Sequence, residues 1–329
     1  MAKMTKAQKR AIRLDFKRQN KSHDKYWSDR IDDIFRYVDQ RDVEYFKELE
    51  ELYSDQALQI QKEIFNFYQK YADENEITLQ EAKQRLRGED LSDYRANANK
   101  YFKQAEDDKD PELLKRLNEQ YRSARVTRLE SLELDITYQL GLLRRTVEVT
   151  FADHLKQVAT HSYRKIMGGR STSTLNRPAL EQLIKTPYNG YNYSLQLWGN
   201  VDNLAKDLKK TLTNGFVKGL NPREMAREIK NRYNVAKYRA ETLLRTDGSM
   251  VVNNSVVQRY IDAGLTKYTI LVNMDERTSD RCIEENKKKK VYLLKDAKVG
   301  INLPPLHFNC RSTIIPLEEE LNVEFEFVS

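Results

Sequence analysis

Cysteine, proline and glycine are all scarce in this chain, at 2, 7 and 11 of 329 residues. Two cysteines cannot build a disulfide framework, so a reducing cytoplasm is the simplest compartment of synthesis. So few turn-forming residues argue against a many-stranded sandwich or barrel. Long apolar runs are missing as well. None approaches the roughly 20 residues that span a bilayer, and the first residues are charged, without an apolar signal core. No membrane anchor and no Sec export are expected.

What is present is charge interleaved with apolar residues, 33% against 39%, the composition of long amphipathic helices. The net charge of +7 is unevenly placed. Residues 1–30 hold ten Lys/Arg against three Asp, and the remainder carries equal numbers of the two signs. In a helical arm, Lys3, Lys6, Arg10, Arg13 and Lys17 fall on one face, a stripe able to lie along nucleic-acid phosphates. A solvated basic tail without a partner is the other reading. A membrane-surface helix is disfavoured because few apolar residues oppose the stripe.

Tyr45, Leu49, Tyr53, Ala57, Ile60, Ile64, Tyr68 and Tyr71 recur every three or four residues and predict a long helix over 43–71. Thr78 with Glu81 reads as a capping box, and Asp110-Pro111 as an N-cap with proline at the first helical position. Leu113, Leu117, Tyr121, Val126, Leu129, Leu132 and Leu134 carry helix onward, with a break, towards Val149. The small polar run 168–174 marks a loop. Beyond it, a stretch from Trp198 to Gly219, a short helix from Asn221-Pro222 to Arg232, and a longer one from Val235 to Gly264 are expected. β-rich runs follow at 268–272, 291–294, 312–317 and Val323/Phe325/Phe327, with Lys287 to Lys290 as a hairpin tip.

The fold class is therefore mainly α with a small C-terminal α+β module, long amphipathic helices preceding a compact domain with short strands. The partition is a basic arm over 1–30, a helical domain over 31–170, further helices over 171–265, and a β-containing module over 266–329.

The residues that can carry chemistry sit in that last stretch. Asp275-x-Arg277-Thr278-Ser279-Asp280-Arg281-Cys282 is followed about 25 residues later by Pro304-Pro305-x-His307-x-x-Cys310-Arg311. Cys and His three apart can converge on a metal, and Cys282 with Asp275 or Asp280 could complete a tetrahedral zinc shell. A Cys282–Cys310 disulfide and a metal-free packed turn are the alternatives, the packed turn being the simplest. Arg311 is a candidate to pair with Asp275 or Asp280 and pin the two runs together, and Arg245 with Asp247 to tie the preceding helix to the C-terminal turn. His23, His154 and His161 lack neighbours at metal spacing and read as ordinary surface or packed residues. Trp27 and Trp198 read as core anchors.

The two runs, with Arg245-Thr246-Asp247 on an upstream helix, resemble the Mu protein F-like phage head-morphogenesis family. Ser279 and Ser312 stand where relatives often carry two more cysteines, which weakens a four-ligand metal site. Tyr26-Trp27, the Tyr68–Ala72 and Thr78–Leu86 segments, and Tyr193-Ser194 to Trp198 are similar to the Gram-positive siphophage branch, the kind found as the minor head protein of the Bacillus phage SPP1. The resemblance implies a minor capsid protein inside the procapsid near the portal, made in the bacterial host cytoplasm. It would assist head assembly and DNA packaging or ejection, with the portal protein, scaffold or major capsid protein and double-stranded DNA as partners. It implies no catalysis. In that setting Arg245, Asp247, Arg277, Pro305 and Arg311 are structural motif residues, and zinc at Cys282, His307, Cys310 and Asp275 is the one candidate cofactor. A metal-dependent nuclease built on His307, Cys310 and Asp275 is the alternative function, disfavoured because no further histidine follows Pro316.

Overall fold

The structure, a computed structural model, describes residues 23–73, 76–122, 125–167, 175–187, 191–274 and 278–321. The proposed stripe of Lys3, Lys6, Arg10, Arg13 and Lys17, the 168–174 run, Asp275, Arg277 and the Val323/Phe325/Phe327 run lie outside them.

Ten α-helices and three strands make up the described chain. The helices are α1 (His23–Tyr71), α2 (Leu79–Ala82), α3 (Gly88–Asp107), α4 (Pro111–Gln120), α5 (Arg128–Lys165), α6 (Arg177–Ile184), α7 (Tyr193–Lys218), α8 (Pro222–Asp262), α9 (Asp280–Lys288) and α10 (Glu318–Leu321). The strands are β1 (Lys267–Leu271), β2 (Val291–Leu293) and β3 (Thr313–Pro316). Mainly α with a small C-terminal α+β module is thus the architecture. No described helix is long and apolar enough to cross a membrane.

Helix α1 begins twenty residues ahead of the periodicity at 43, because Trp27, Ile31, Ile34 and Val38 continue the same buried stripe and only Asp42 interrupts it. The expected pair of helices between 221 and 264 is one, α8. Met225, Ile229, Tyr233, Ala236, Ala240 and Leu244 are all buried and keep the stripe unbroken across the expected break between Arg232 and Val235. Asn221 Oδ1 accepts from the amides of Arg223 and Glu224 at its start. At its end Gly264 has a φ of 78°, and the Leu265 amide donates to the Tyr260 carbonyl, so the glycine is the left-handed residue that stops the helix. The capping box of Thr78 and Glu81 is formed in full, and Asp110 caps α4 with Pro111 in its first turn.

The chain compacts into two units, each assembled from separated stretches. One comprises 47–149 and 194–240, the other 1–46, 150–193 and 241–329.

In the first unit, Tyr94, Ala98, Ala105, Leu113, Leu117, Val126, Leu134 and Tyr138 form a core cluster among α3, α4 and α5. A methyl group added at Gly141 would come within 2.4 Å of Leu113 Cδ1, so a residue without a side chain lets α4 approach α5. Polar order is set by Arg144, buried together with Asp110. Asp110 Oδ1 accepts the Leu113 amide at 3.0 Å while Oδ2 accepts from Arg144 at 2.7 Å, and Arg144 also pairs with Glu148. The Trp198 ring lies between two guanidinium groups, that of Arg116 at 3.5 Å and that of Arg144 at 3.9 Å from its centroid. Arg116 is held in turn by both carboxylate oxygens of Asp202, each at 2.9 Å. Trp198 is a packed anchor, as its sequence context suggested.

In the second unit, the sheet is antiparallel in the order β2-β1-β3, with Tyr268 opposite Tyr292 and Ile270 opposite Ile314. Trp27 is fully buried and meets Tyr260 edge-on, with ring centroids 6.0 Å apart. Where a hairpin tip was expected at Lys287 to Lys290, the structure has the end of α9: Lys287 and Lys288 form its last turn and Lys289 turns the chain with a φ of 42°. Ser279, accepting the Cys282 amide at its N-terminus, is the cap that makes this stretch helical.

Breaking the Asp110–Arg144 pair strands a buried guanidinium and uncaps α4. Asp110→Ala is expected to cost about 3–5 kcal/mol in urea unfolding. A loss below about 1 kcal/mol would show the pair to be dispensable.

Candidate functional site

The C-terminal runs are fastened to α8 by three side chains spaced seven residues apart. Thr246 Oγ1 accepts the Asn309 amide at 3.2 Å, Asn253 Nδ2 donates to the Ser312 carbonyl at 3.2 Å, and Tyr260 Oη donates to the Ile314 carbonyl at 3.4 Å. Two helical turns separate each from the next, so all three project from one face of α8. Met250, Val251, Val252 and Val256 bury the surface around them. Sequence reasoning singled out Arg245 and Asp247 for this work. It is done by their neighbour Thr246 and by Asn253 and Tyr260. The available signal was a seven-residue spacing of polar groups within an apolar stretch.

Arg245 is exposed, with its guanidinium 4.6 Å from the Phe46 ring centroid. Asp247 is 1% exposed, and neither of its carboxylate oxygens has a hydrogen-bond partner among the described residues. Burial pushes its carboxyl up to about 8, so at neutral pH it is held as the uncharged acid.

Arg281 pins the two runs together, while Asp275, one of the acids expected to meet Arg311, lies outside the described residues. Its guanidinium donates to the Leu306 and Gly300 carbonyls, binding the start of α9 to the loop that precedes β3. Arginine suits this because its fixed fork of donors reaches two acceptors at once. Pro305 is buried in that loop and follows Pro304 through a cis peptide bond. Asp280 is exposed in the first turn of α9.

The same fastening brings Cys282, His307 and Cys310 together. Cys282 Sγ is 3.2 Å from His307 Nε2 and 3.7 Å from Cys310 Sγ, and the three donor atoms all lie within 4.8 Å of one another. Both cysteines are buried free thiols. His307 presents its ring because the Cys310 amide donates to its carbonyl in a tight turn, in which Asn309 takes the left-handed conformation at a φ of 57°. Its Nδ1 lies 2.8 Å from the Phe308 carbonyl. A carbonyl only accepts, so Nδ1 carries the proton and the lone pair of a neutral ring sits on Nε2, towards Cys282. Ser312 Oγ donates to Cys282 Sγ at 3.3 Å. The Cys310 thiol, and then the hydroxyls of Ser312 and Ser279, pull the Cys282 thiol below its usual value, while Cys310 is pushed up by the same contact and by burial.

These residues line a cavity of about 650 Å³, whose other walls include Phe35, Asp39, Asp42 and Phe46 of α1 and Arg245 and Ser249 of α8. Asp42 was not singled out from sequence. It is buried with His154, whose Nε2 is 3.0 Å from Asp42 Oδ1. His161 stacks on Tyr37 at 3.7 Å between centroids, and His23 contacts Asp24 and meets the Trp27 ring edge-on. The three histidines thus have packing or charge partners away from the cysteines.

Residues 206–315 match the family model described as Phage Mu protein F like protein. The match runs from within α7 into β3, so it takes in all of α8, the three side chains that hold the loop, and Cys282, His307 and Cys310. The match covers about a third of the chain, and over this stretch the chain is similar to that family. No curated protein and no solved structure matches the chain.

Two expected outcomes test this description. Asn253→Ala leaves the Ser312 carbonyl without its donor in a dry place and is expected to cost about 1–3 kcal/mol, read from the denaturation midpoint; an unchanged midpoint would remove that bond from the account. For Asp247, the unfolded chain releases its proton near pH 4 whereas the folded chain keeps it to about pH 8. Stability therefore falls as pH rises across that window, by up to about 1.4 kcal/mol per pH unit. Asp135, also pushed up by burial, to about 7, acts in the same direction, so the comparison is with a variant. Asp247→Asn should match the parent near pH 4 and exceed it in stability increasingly towards pH 8. A difference that does not change with pH would refute the buried neutral acid.

Proposed function

We propose that this protein is a minor capsid protein of a tailed phage. It acts in head morphogenesis from inside the procapsid near the portal, with a basic arm that contacts packaged DNA without reading its sequence. The observation that carries the reading is the Mu protein F-like match over 206–315. The portal protein is the first partner, with scaffold or major capsid protein as further ones, and the work done is assembly and DNA packaging or ejection rather than turnover of a substrate.

The charge distribution supports the DNA-facing part. The whole excess of positive charge falls within residues 1–30, and five of those cations recur at helical spacing. Contacts of this kind release condensed counterions, which makes affinity fall steeply with salt and leaves it indifferent to base sequence.

Two experiments decide the two parts. Procapsids made with and without the portal protein are compared by mass spectrometry. The protein is expected in the first and depleted from the second; equal amounts in both would end the portal association, and absence from both would end the capsid assignment. Binding to unrelated duplexes is titrated against salt with the full chain and with residues 1–22 deleted. The deletion is expected to flatten the log–log salt dependence by roughly 4–5, the contribution of five phosphate contacts. An unchanged slope would take the arm out of the mechanism.

A further inference from the structure

Cys282, His307 and Cys310 place two sulfurs and one imidazole nitrogen around a common point, from two parts of the chain that the fold independently holds together. We propose that these three residues bind one zinc ion, with the fourth position open to the cavity, and that the ion clamps the loop before β3 onto the first turn of α9.

The distances from Cys282 to its two partners are close to those a zinc ion requires. Two sulfurs about 2.3 Å from one tetrahedral ion stand about 3.8 Å apart, and a sulfur and a ring nitrogen about 3.6 Å apart. The Cys282–Cys310 separation of 3.7 Å meets the first value, and the Cys282–His307 separation of 3.2 Å falls short of the second by a few tenths of an ångström. A disulfide needs its sulfurs about 2.0 Å apart. The two thiols are not bonded.

The surroundings suit the ion as well. Nδ1 of His307 is committed to the Phe308 carbonyl, which fixes the ring and leaves Nε2 free to ligate. Ser312 donates to Cys282 Sγ, as outer hydrogen bonds to a ligating thiolate do. Cys282 is the third residue of α9, near the positive end of that helix. Two soft thiolates with an imidazole favour zinc over the hard divalent cations. On loading, each thiol gives its proton to solvent and Nε2 contributes its lone pair. The two thiolates then cancel the charge of the ion, so the centre is neutral where it is buried, which fits a clamp more than a strong Lewis acid.

The test uses the full chain, made in a reducing cytoplasm and purified without chelator. Metal analysis is expected to give one zinc per chain, and replacement by cobalt(II) a thiolate charge-transfer band with the visible bands of a tetrahedral ion. Cys282→Ser and Cys310→Ser should each abolish stoichiometric zinc. His307→Ala should weaken binding by more than the ten- to hundredfold that losing an outer-shell partner typically costs. Chelation of the unmodified protein should lower its Tm while leaving two titratable thiols. Four results would overturn the proposal: zinc no higher than in the double serine variant; a cobalt spectrum without thiolate charge transfer; His307→Ala retaining full affinity; or a mass reduced by the pair of thiol hydrogens, which would mark a disulfide. The cobalt spectrum and the chelation shift are read on the unmodified chain, so the test stands even if a variant fails to fold.

Discussion

Three side chains of α8, Thr246, Asn253 and Tyr260, hold the backbone of the run that leads into and through β3, and the candidate site depends on that hold. β3 is an edge strand, and an edge carries main-chain groups that the neighbouring strand does not satisfy. Here the Asn309 amide and the Ser312 and Ile314 carbonyls find side-chain partners instead. Each bond is worth little on its own, but an orphaned group in the same dry place costs more than a bond yields. The register of the run on α8 is therefore well defined, and with it the positions of His307 and Cys310.

Other polar groups in the protein are ordered in a similar way, by side chains held at two ends. Arg281 grips two carbonyls, Asp110 both caps a helix and takes a guanidinium, and Arg144 pairs with acids while lying on Trp198. A chain with one third charged residues has limited apolar surface to bury, and such pairs supply specificity where packing area is short. Asp247 departs from this pattern, a buried acid without a hydrogen-bond partner among the described residues, kept neutral by its own desolvation.

Much of the helical architecture was legible in the sequence because a buried stripe repeats every three or four residues whatever lies opposite it. The stripe of α1, the caps at Thr78, Asp110 and Asn221, and the stop at Gly264 were all readable locally. The continuity of α8 was not, since the buried contacts that carry one stripe past Arg232 come from distant stretches. The gathering of Cys282, His307 and Cys310 could be suspected from residue type. Its mechanical basis in Arg281, Asn253 and Tyr260 could not, because a side chain bonded to a main-chain carbonyl leaves no signature in the partner's identity. The pairing of Asp42 with His154 was hidden for the same reason of distance in sequence.

The compact unit that carries the cavity draws on residues before 47 and after 240. A ribosome moving at roughly 5–20 residues per second takes on the order of ten to forty seconds to cover the gap. Throughout that interval Trp27 on the first helix has been made while Tyr260, the ring it meets, has not, although His154 and His161 arrive part-way to cover Asp42 and Tyr37. Nascent chains therefore keep part of that helix's apolar face uncovered until the last quarter of the sequence is made, so the yield of folded protein depends on how that delay is bridged as well as on final stability.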